Sequence, residues 1–193
     1  MIRIGIVGGI GSGKSYVSKS FGFPLFNADI EVAKLYKKDK TIFIKLKKIL
    51  PEYFNSFPVK KKEVAKAILA NSRNLKKIIK IIHISVKKKL HNFLQVNKTK
   101  KIVILDIPLL LENKINKKND IIVFVQSKKS IINKKLKNRK GYNKKLLNKF
   151  KNIQLPLDYK KKKSQFIIKN DFTKKTVKKY VKDILGEILK WKK

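Results

Sequence analysis

Gly8-Gly9-Ile10-Gly11-Ser12-Gly13-Lys14-Ser15 fits the pattern G-x-x-x-x-G-K-[ST] without a gap, after the apolar run Ile2 to Val7 and before Val17 and Phe21, which have helical spacing. No other feature constrains the fold as tightly, because the pattern has meaning only between a strand and a helix, and both are expected here. A loop that wraps an anion turns successive backbone N–H groups inward, which requires backbone angles that glycine tolerates and no obstructing side chains. Five of the eight glycines in this 193-residue chain, Gly5, Gly8, Gly9, Gly11 and Gly13, fall among the first fifteen residues, which argues against a merely flexible turn. The helix starting near Lys14 adds further N–H groups and the positive end of its dipole. Lys14 can reach β- and γ-phosphates as a point charge, and the Ser15 hydroxyl is placed to ligate Mg²⁺. A nucleoside triphosphate is the expected ligand; the guanine signature Asn-Lys-x-Asp is absent from the sequence, and GTP stays open beside ATP.

The rest of the chain alternates strand and helix. Gly22-Phe23-Pro24 stops the first helix before a short strand, about Leu25 to Asn27. From about Ile30 to Val96 the pattern predicts helices separated by Pro51 and Pro58, with Ile78, Ile79, Ile82 and Val86 at helical intervals. Ile102 to Asp106 and Ile121 to Val125 are unbroken apolar runs, the signature of parallel strands buried on both faces. Ser130 to Arg139 reads as a helix ended by Gly141, followed by a lysine-rich helix or helical hairpin to about Lys163. Phe166 to Ile168 is a last strand. Val177, Val181, Ile184, Ile188 and Trp191 form the packing stripe of a helix over Thr173 to Trp191. The prediction is an α/β fold with a parallel sheet flanked by helices, whose ligands bind at the carboxyl ends of the strands.

The formal net charge is +39, which by itself suggests a nucleic acid or an anionic surface as partner. Only Arg3, Arg73 and Arg139 are arginines, however, and the other 48 basic residues are lysines spread over the whole chain with abundant Ile and Asn. A binding footprint requires clustering, whereas drift toward A/T-rich codons gives this even spread, so no specific nucleic-acid partner is expected. Runs such as Lys87 to Lys89 and Lys160 to Lys163 read as solvated faces. At 42% hydrophobic residues the chain can build a core despite its charge. Cysteine is absent, which removes disulfides, thiolate metal sites and cysteine nucleophiles. The apolar runs are too short to span a bilayer or to form a signal peptide, so a cytoplasmic protein without membrane attachment is expected.

Two acids stand where phosphoryl chemistry needs them. Asp29, just past the second strand, can accept a proton from an attacking hydroxyl, or it can cap the helix that begins near Ile30. Asp106, at the end of an apolar strand, can support Mg²⁺ or be an ordinary strand-end acid.

At these residues the chain resembles the dephospho-CoA kinases, P-loop kinases of the last step of coenzyme A synthesis. Val7 to Ser15 nearly reproduces the family's Thr-Gly-Gly-Ile-Gly-Ser-Gly-Lys-Ser, with Val7 in place of Thr. Asn27-Ala28-Asp29 stands for its Asp-Ala-Asp and keeps the second acid only. Pro108-Leu109-Leu110-Leu111-Glu112 matches Pro-Leu-Leu-x-Glu. Arg139, Gln154 and Asn170 are further matches, and His83-Ile84 keeps the His of a His-Pro pair. Lys135 stands where an arginine is usual and supplies charge without a bidentate fork.

The resemblance implies a P-loop NTPase-type sheet with core 1–29, 101–139 and 164–193, a helical acceptor-binding insert over about 30–100 and a lid over about 140–163. It implies transfer of the ATP γ-phosphoryl to the ribose 3′-hydroxyl of dephospho-CoA with Mg²⁺. The backbone of Gly11, Ser12, Gly13, Lys14, Ser15 and Tyr16 would hold the phosphates, with Ser15 and Asp106 on the metal. Asp29 would act as base, Arg139 on the developing charge, and Asn170 near the adenine. His83, Pro108, Leu110 and Glu112 would lie at the acceptor, although Leu109 and Leu110 read equally as core. Other nucleoside or nucleotide P-loop kinases and a basic nucleic-acid-binding protein are the competing readings. A monomer is favoured.

Overall fold

The apolar runs form five strands, β1 (Ile2–Gly8), β2 (Leu25–Asn27), β3 (Ile102–Asp106), β4 (Ile121–Gln126) and β5 (Phe166–Lys169), in a computed structural model that describes residues 1–139 and 141–191. Their order is β2-β3-β1-β4-β5 and every pairing is parallel, with Ile4 opposite Ile104 on one side and Ile121 on the other. The helices are α1 (Lys14–Ser20), α2 (Ala28–Lys38), α3 (Lys40–Ile49), α4 (Lys61–Ala70), α5 (Ser72–Val96), α6 (Lys129–Lys137), α7 (Lys144–Lys151), α8 (Leu157–Lys162) and α9 (Lys174–Lys190).

The chain divides into two units. One comprises Met1–Asn27, Asn97–Tyr142 and Gln154–Lys193 and contains the sheet with α1, α6, α8 and α9; the other comprises Ala28–Val96 and Asn143–Ile153 and contains α2 to α5 and α7. In the sheet unit, alternate strand residues Ile4, Ile6, Ile104, Val123, Val125 and Ile168 pack with Val17, Phe21 and the α9 stripe Val177, Val181, Ile184 and Ile188, all buried. Truncating one of these to alanine costs about 2–5 kcal/mol. A one-residue slip of a strand would turn its whole set to the opposite face, so the register is fixed by burial. On the other face, a Cβ at Gly5 would lie 2.5 Å from Leu110 Cδ2, and only glycine lets that leucine seat on β1. Thr173 begins α9 as an N-cap, accepting the Thr176 N–H.

The helical unit is more finely divided than its prolines suggest. Besides the stretch between α3 and α4, which holds Pro51 and Pro58, there are breaks at Asp39 and Asn71. The Asp39 carboxylate caps α3 by accepting the Ile42 N–H at 3.1 Å, and Asn71 Oδ1 accepts the Arg73 N–H at 2.8 Å. Short polar side chains that bond their own backbone end helices without a proline.

The lysine-rich segment is two separate helices. Gly141 has φ 77°, Asn143 caps α7, and Pro156 precedes α8. Lys140, the first residue of the expected lid, lies outside the described residues. The solvated reading of Lys160 to Lys163 fails at its first member. Lys160 is 2% exposed and its ammonium lies 2.6 Å from the Glu112 carboxylate, because an acid from a distant loop compensates the buried charge. Among the described residues no helix is long and apolar enough to cross a membrane.

Candidate active site

Three glycines of the loop, Gly8, Gly11 and Gly13, each have a steric reason of their own. Gly13 has φ 89°, and a Cβ there would fall 2.3 Å from Asn170 Nδ2. At Gly11, φ 82°, a Cβ would meet Leu136 at 2.9 Å and Ile132 at 3.0 Å, both on α6; at Gly8, φ 146°, it would meet the Val125 carbonyl oxygen at 2.6 Å. The loop is therefore pressed between the ends of β4 and β5 and the side of α6, where a larger residue would both strain the backbone and displace a neighbour.

The Ser12 carbonyl is held from two sides, by Asn170 Nδ2 at 2.9 Å and by Ser127 Oγ at 3.0 Å. Asn170 Oδ1 accepts the Phe172 N–H at 2.8 Å, so both ends of this buried amide serve the loop and the turn after β5. Asn170, expected near the adenine, lies beneath the phosphate loop and supports it. Ser127 was not foreseen from the sequence, and a hydroxyl one residue beyond an apolar strand is the only signal for it.

Lys14 Nζ donates to the carbonyls of Gly9 at 2.8 Å and Gly8 at 3.3 Å, so its ammonium lies across the loop it belongs to. Ser15 and Tyr16 are exposed at the start of α1, whose N-cap Gly13 supplies no side-chain bond. Two of the amides expected to face phosphate are engaged within the loop, Ser12 N–H with Gly9 O and Tyr16 N–H with Gly13 O. The Ser12 hydroxyl is buried without a hydrogen-bond partner, packed against Gly8.

At the carboxyl ends of β2 and β3, Asn27 and Asp106 stand opposite each other in register, and Asn27 Nδ2 donates to Asp106 Oδ2 at 2.6 Å. An aspartate at position 27 would place two carboxylates together, so the amide converts a repulsive pair into a hydrogen bond. Beyond β3, Pro108 and Leu109 keep some exposed surface, whereas Leu110 has none and takes the core reading against Gly5. Glu112, expected at the acceptor, accepts from Lys160 Nζ at 2.6 Å and from the Leu155 N–H at 3.1 Å.

Arg139 lies two residues past α6, exposed, beside the basic face that Lys134, Lys135 and Asn138 form. Lys135 Nζ sits 4.6 Å from the centroid of the Phe172 ring, a cation–π contact within the same unit.

In the helical unit, Asp29 is exposed as the second residue of α2, inside its first turn. The helix begins at Ala28, before the start near Ile30 on which the capping reading rested. His83 lies on α5 with Nε2 buried and without a hydrogen-bond partner; desolvation, and then the Lys87 charge one turn on, hold its imidazole below the usual range. The structure thus gathers the loop, Asn27, Asp106, Pro108 to Glu112, Arg139 and Asn170 in the sheet unit, and Asp29 and His83 in the helical one.

A family model described as dephospho-CoA kinase matches residues 2–176 of the chain. A protein named dephospho-CoA kinase from Wolbachia pipientis wMel is 35% identical over 190 residues, covering 96% of this chain and 97% of that relative. Among solved structures, one from Thermus thermophilus superposes with a TM-score of 0.75 at 23% identity, covering 96% of this chain and 97% of that one. A dephospho-CoA kinase from Campylobacter jejuni gives 0.62 at 19% identity and covers 96% of each chain.

Proposed function

The chain belongs to the dephospho-CoA kinase family, and on that premise we propose that it transfers the γ-phosphoryl group of ATP to the ribose 3′-hydroxyl of dephospho-CoA, yielding coenzyme A and ADP. The observation that carries the reading is the phosphate loop. Gly8, Gly11 and Gly13 are sterically enforced, its backbone is braced by Asn170 and Ser127, and its lysine is already drawn across it.

Phosphoryl transfer depends on positioning and charge compensation more than on covalent help from the protein. Lys14 exchanges its bonds to the Gly8 and Gly9 carbonyls for the β- and γ-phosphates. Asp29 accepts the proton of the ribose hydroxyl as it attacks phosphorus. Arg139 offsets the charge that builds on the transferred group. By the family resemblance His83, Pro108 and Leu109 would serve the acceptor, and the excursion carrying α7 would be the lid that excludes water.

The donor set at the strand ends suits Mg²⁺. Among the described residues no group of three or more His, Asp or Glu side chains could hold a metal, which fits an ion bound through one or two protein oxygens and the phosphates it accompanies. Ser15 Oγ and the Asp106 carboxylate would hold it. Bound there, the ion neutralises phosphate charge.

The test is ADP release measured side by side with dephospho-CoA, AMP, CMP and adenosine as acceptors. Turnover should be specific for dephospho-CoA. Preference for a nucleoside or nucleotide would reassign the chain to another branch of P-loop kinases, and salt-sensitive nucleic-acid binding without any acceptor turnover would overturn the kinase reading.

A further inference from the structure

One ion pair of the sheet unit has no place in the chemistry above. Lys160 is among the most completely buried side chains of the protein, in a chain whose lysines are otherwise abundant and cheap to solvate. A buried ammonium persists only where its charge and its hydrogens are matched. Lys160 finds Glu112 at 2.6 Å and Gln154 Oε1 at 3.4 Å, and the same Glu112 oxygen takes the Leu155 N–H. That carboxylate is 10% exposed and turned toward the protein. Gln154 is also the residue at which the chain re-enters the sheet unit after the α7 excursion.

We propose that Lys160 is a positioning residue for the phosphoryl acceptor, acting through Glu112 to fix the Pro108 to Glu112 segment and through Gln154 to pin the returning end of the lid. The inference rests on the reading that this segment borders the acceptor. The segment is anchored twice, by Leu110 seated on Gly5 of β1 and by Glu112 seated on α8, and the partly exposed Pro108 and Leu109 precede both anchors. The helix that carries Lys160 is itself seated on the nucleotide side. Leu157, one turn earlier on the same face, has methyl groups 3.6 Å from where a Cβ on Gly9 would be. A single turn of helix thus ties the loop that holds the donor to the segment that borders the acceptor. The α7 excursion ends at Ile153, and α8 belongs to the sheet unit.

The experiment is a double-mutant cycle on steady-state kinetics, with Glu112→Gln, Lys160→Met and the double variant, alongside amide exchange at Leu155. If Lys160 acts through Glu112, each single change raises KM for dephospho-CoA about tenfold, leaves KM for ATP within about twofold, and the double variant is no worse than either single. Exchange at Leu155 accelerates in parallel. A purely structural role would instead lower kcat with both substrates and leave the acceptor KM in place. Additive losses with Glu112→Gln the larger would show that Glu112 touches the acceptor directly, and an unchanged acceptor KM in all three variants would equally overturn the proposal. Should Lys160→Met fail to fold with a carboxylate stranded in the interior, the double variant, which carries neither charge, and Lys160→Arg, which keeps the pair, decide the matter. Lys160→Arg should hold the acceptor KM within about threefold of wild type, and a tenfold rise there would sink the idea. Preference of the wild type for AMP, CMP or adenosine would refute the dephospho-CoA assignment separately, and the same cycle would then be read on that acceptor.

Discussion

Asn27 and Asp106 face each other in register at the carboxyl ends of β2 and β3, joined by a 2.6 Å hydrogen bond in which the amide donates to the carboxylate. The family resemblance carries an acid at position 27, and this chain replaces it with a group that neutralises its neighbour's need for a donor.

Asn27→Asp should therefore destabilise the metal-free protein by about 1–3 kcal/mol at neutral pH, the cost of removing a buried donor. Two adjoining carboxylates share a proton more readily as pH falls, so the loss should shrink on acidification. Urea melts in EDTA and in MgCl2 measure both effects, with the magnesium arm recovering part of the loss. An unchanged midpoint in EDTA would mean that the pair does not matter to stability.

Lys14→Ala should abolish ATP-dependent ADP release, a fall on the order of 10³ or more for loss of a phosphate-clamping charge. Circular dichroism and thermal melting should stay near wild type, since the partly exposed side chain lies along its own loop and bonds two of its carbonyls. Asp29→Asn should lower kcat on the order of 10² with ATP binding preserved, the expectation for a general base. An unaltered kcat would remove Asp29 from the reaction.

Asn170→Ala separates two roles for that residue. As support of the Ser12 carbonyl, its loss should raise KM for ATP about tenfold, worth about 1.4 kcal/mol, and weaken GTP by the same factor. As a reader of adenine, its loss would change the ratio of ATP to GTP use. Parallel titrations of the two nucleotides give the answer.

His83 sets a pH dependence of stability. Its imidazole is held below the ordinary value of 6.5 in the folded chain, so the unfolded chain binds the extra proton first as pH falls. The contribution is complete above pH 6.5 and is lost progressively below it. His83→Gln should flatten this part of the stability profile, measured as denaturant midpoints between pH 7.5 and 5; a slope identical to wild type would place the effect elsewhere.

The sheet was legible because parallel strands buried on both faces leave unbroken apolar runs, and β1, β3 and β4 were each placed within a residue or two. The phosphate loop was legible because its angles and its crowding leave glycine as the choice at Gly8, Gly11 and Gly13. What escaped was long-range. Nothing local distinguishes Lys160 from Lys161 or Lys162; its burial is decided by an acid 48 positions away at Glu112. The helix breaks at Asp39 and Asn71 depend on side-chain bonds to nearby backbone, which compete with helix without a strong sequence mark. Asn170 matched a family position, but its use by the loop could not be read before Ser12 was found above it.

The prop and the loop it supports are 158 positions apart in the chain. During synthesis the signature octapeptide leaves the ribosome well before β5, so the emerging chain carries the motif for a time without the brace that shapes it. Tight gripping of nucleotide is accordingly a property of the assembled sheet and not of the octapeptide alone, and a fragment ending before β5 would display the consensus yet hold ATP more weakly.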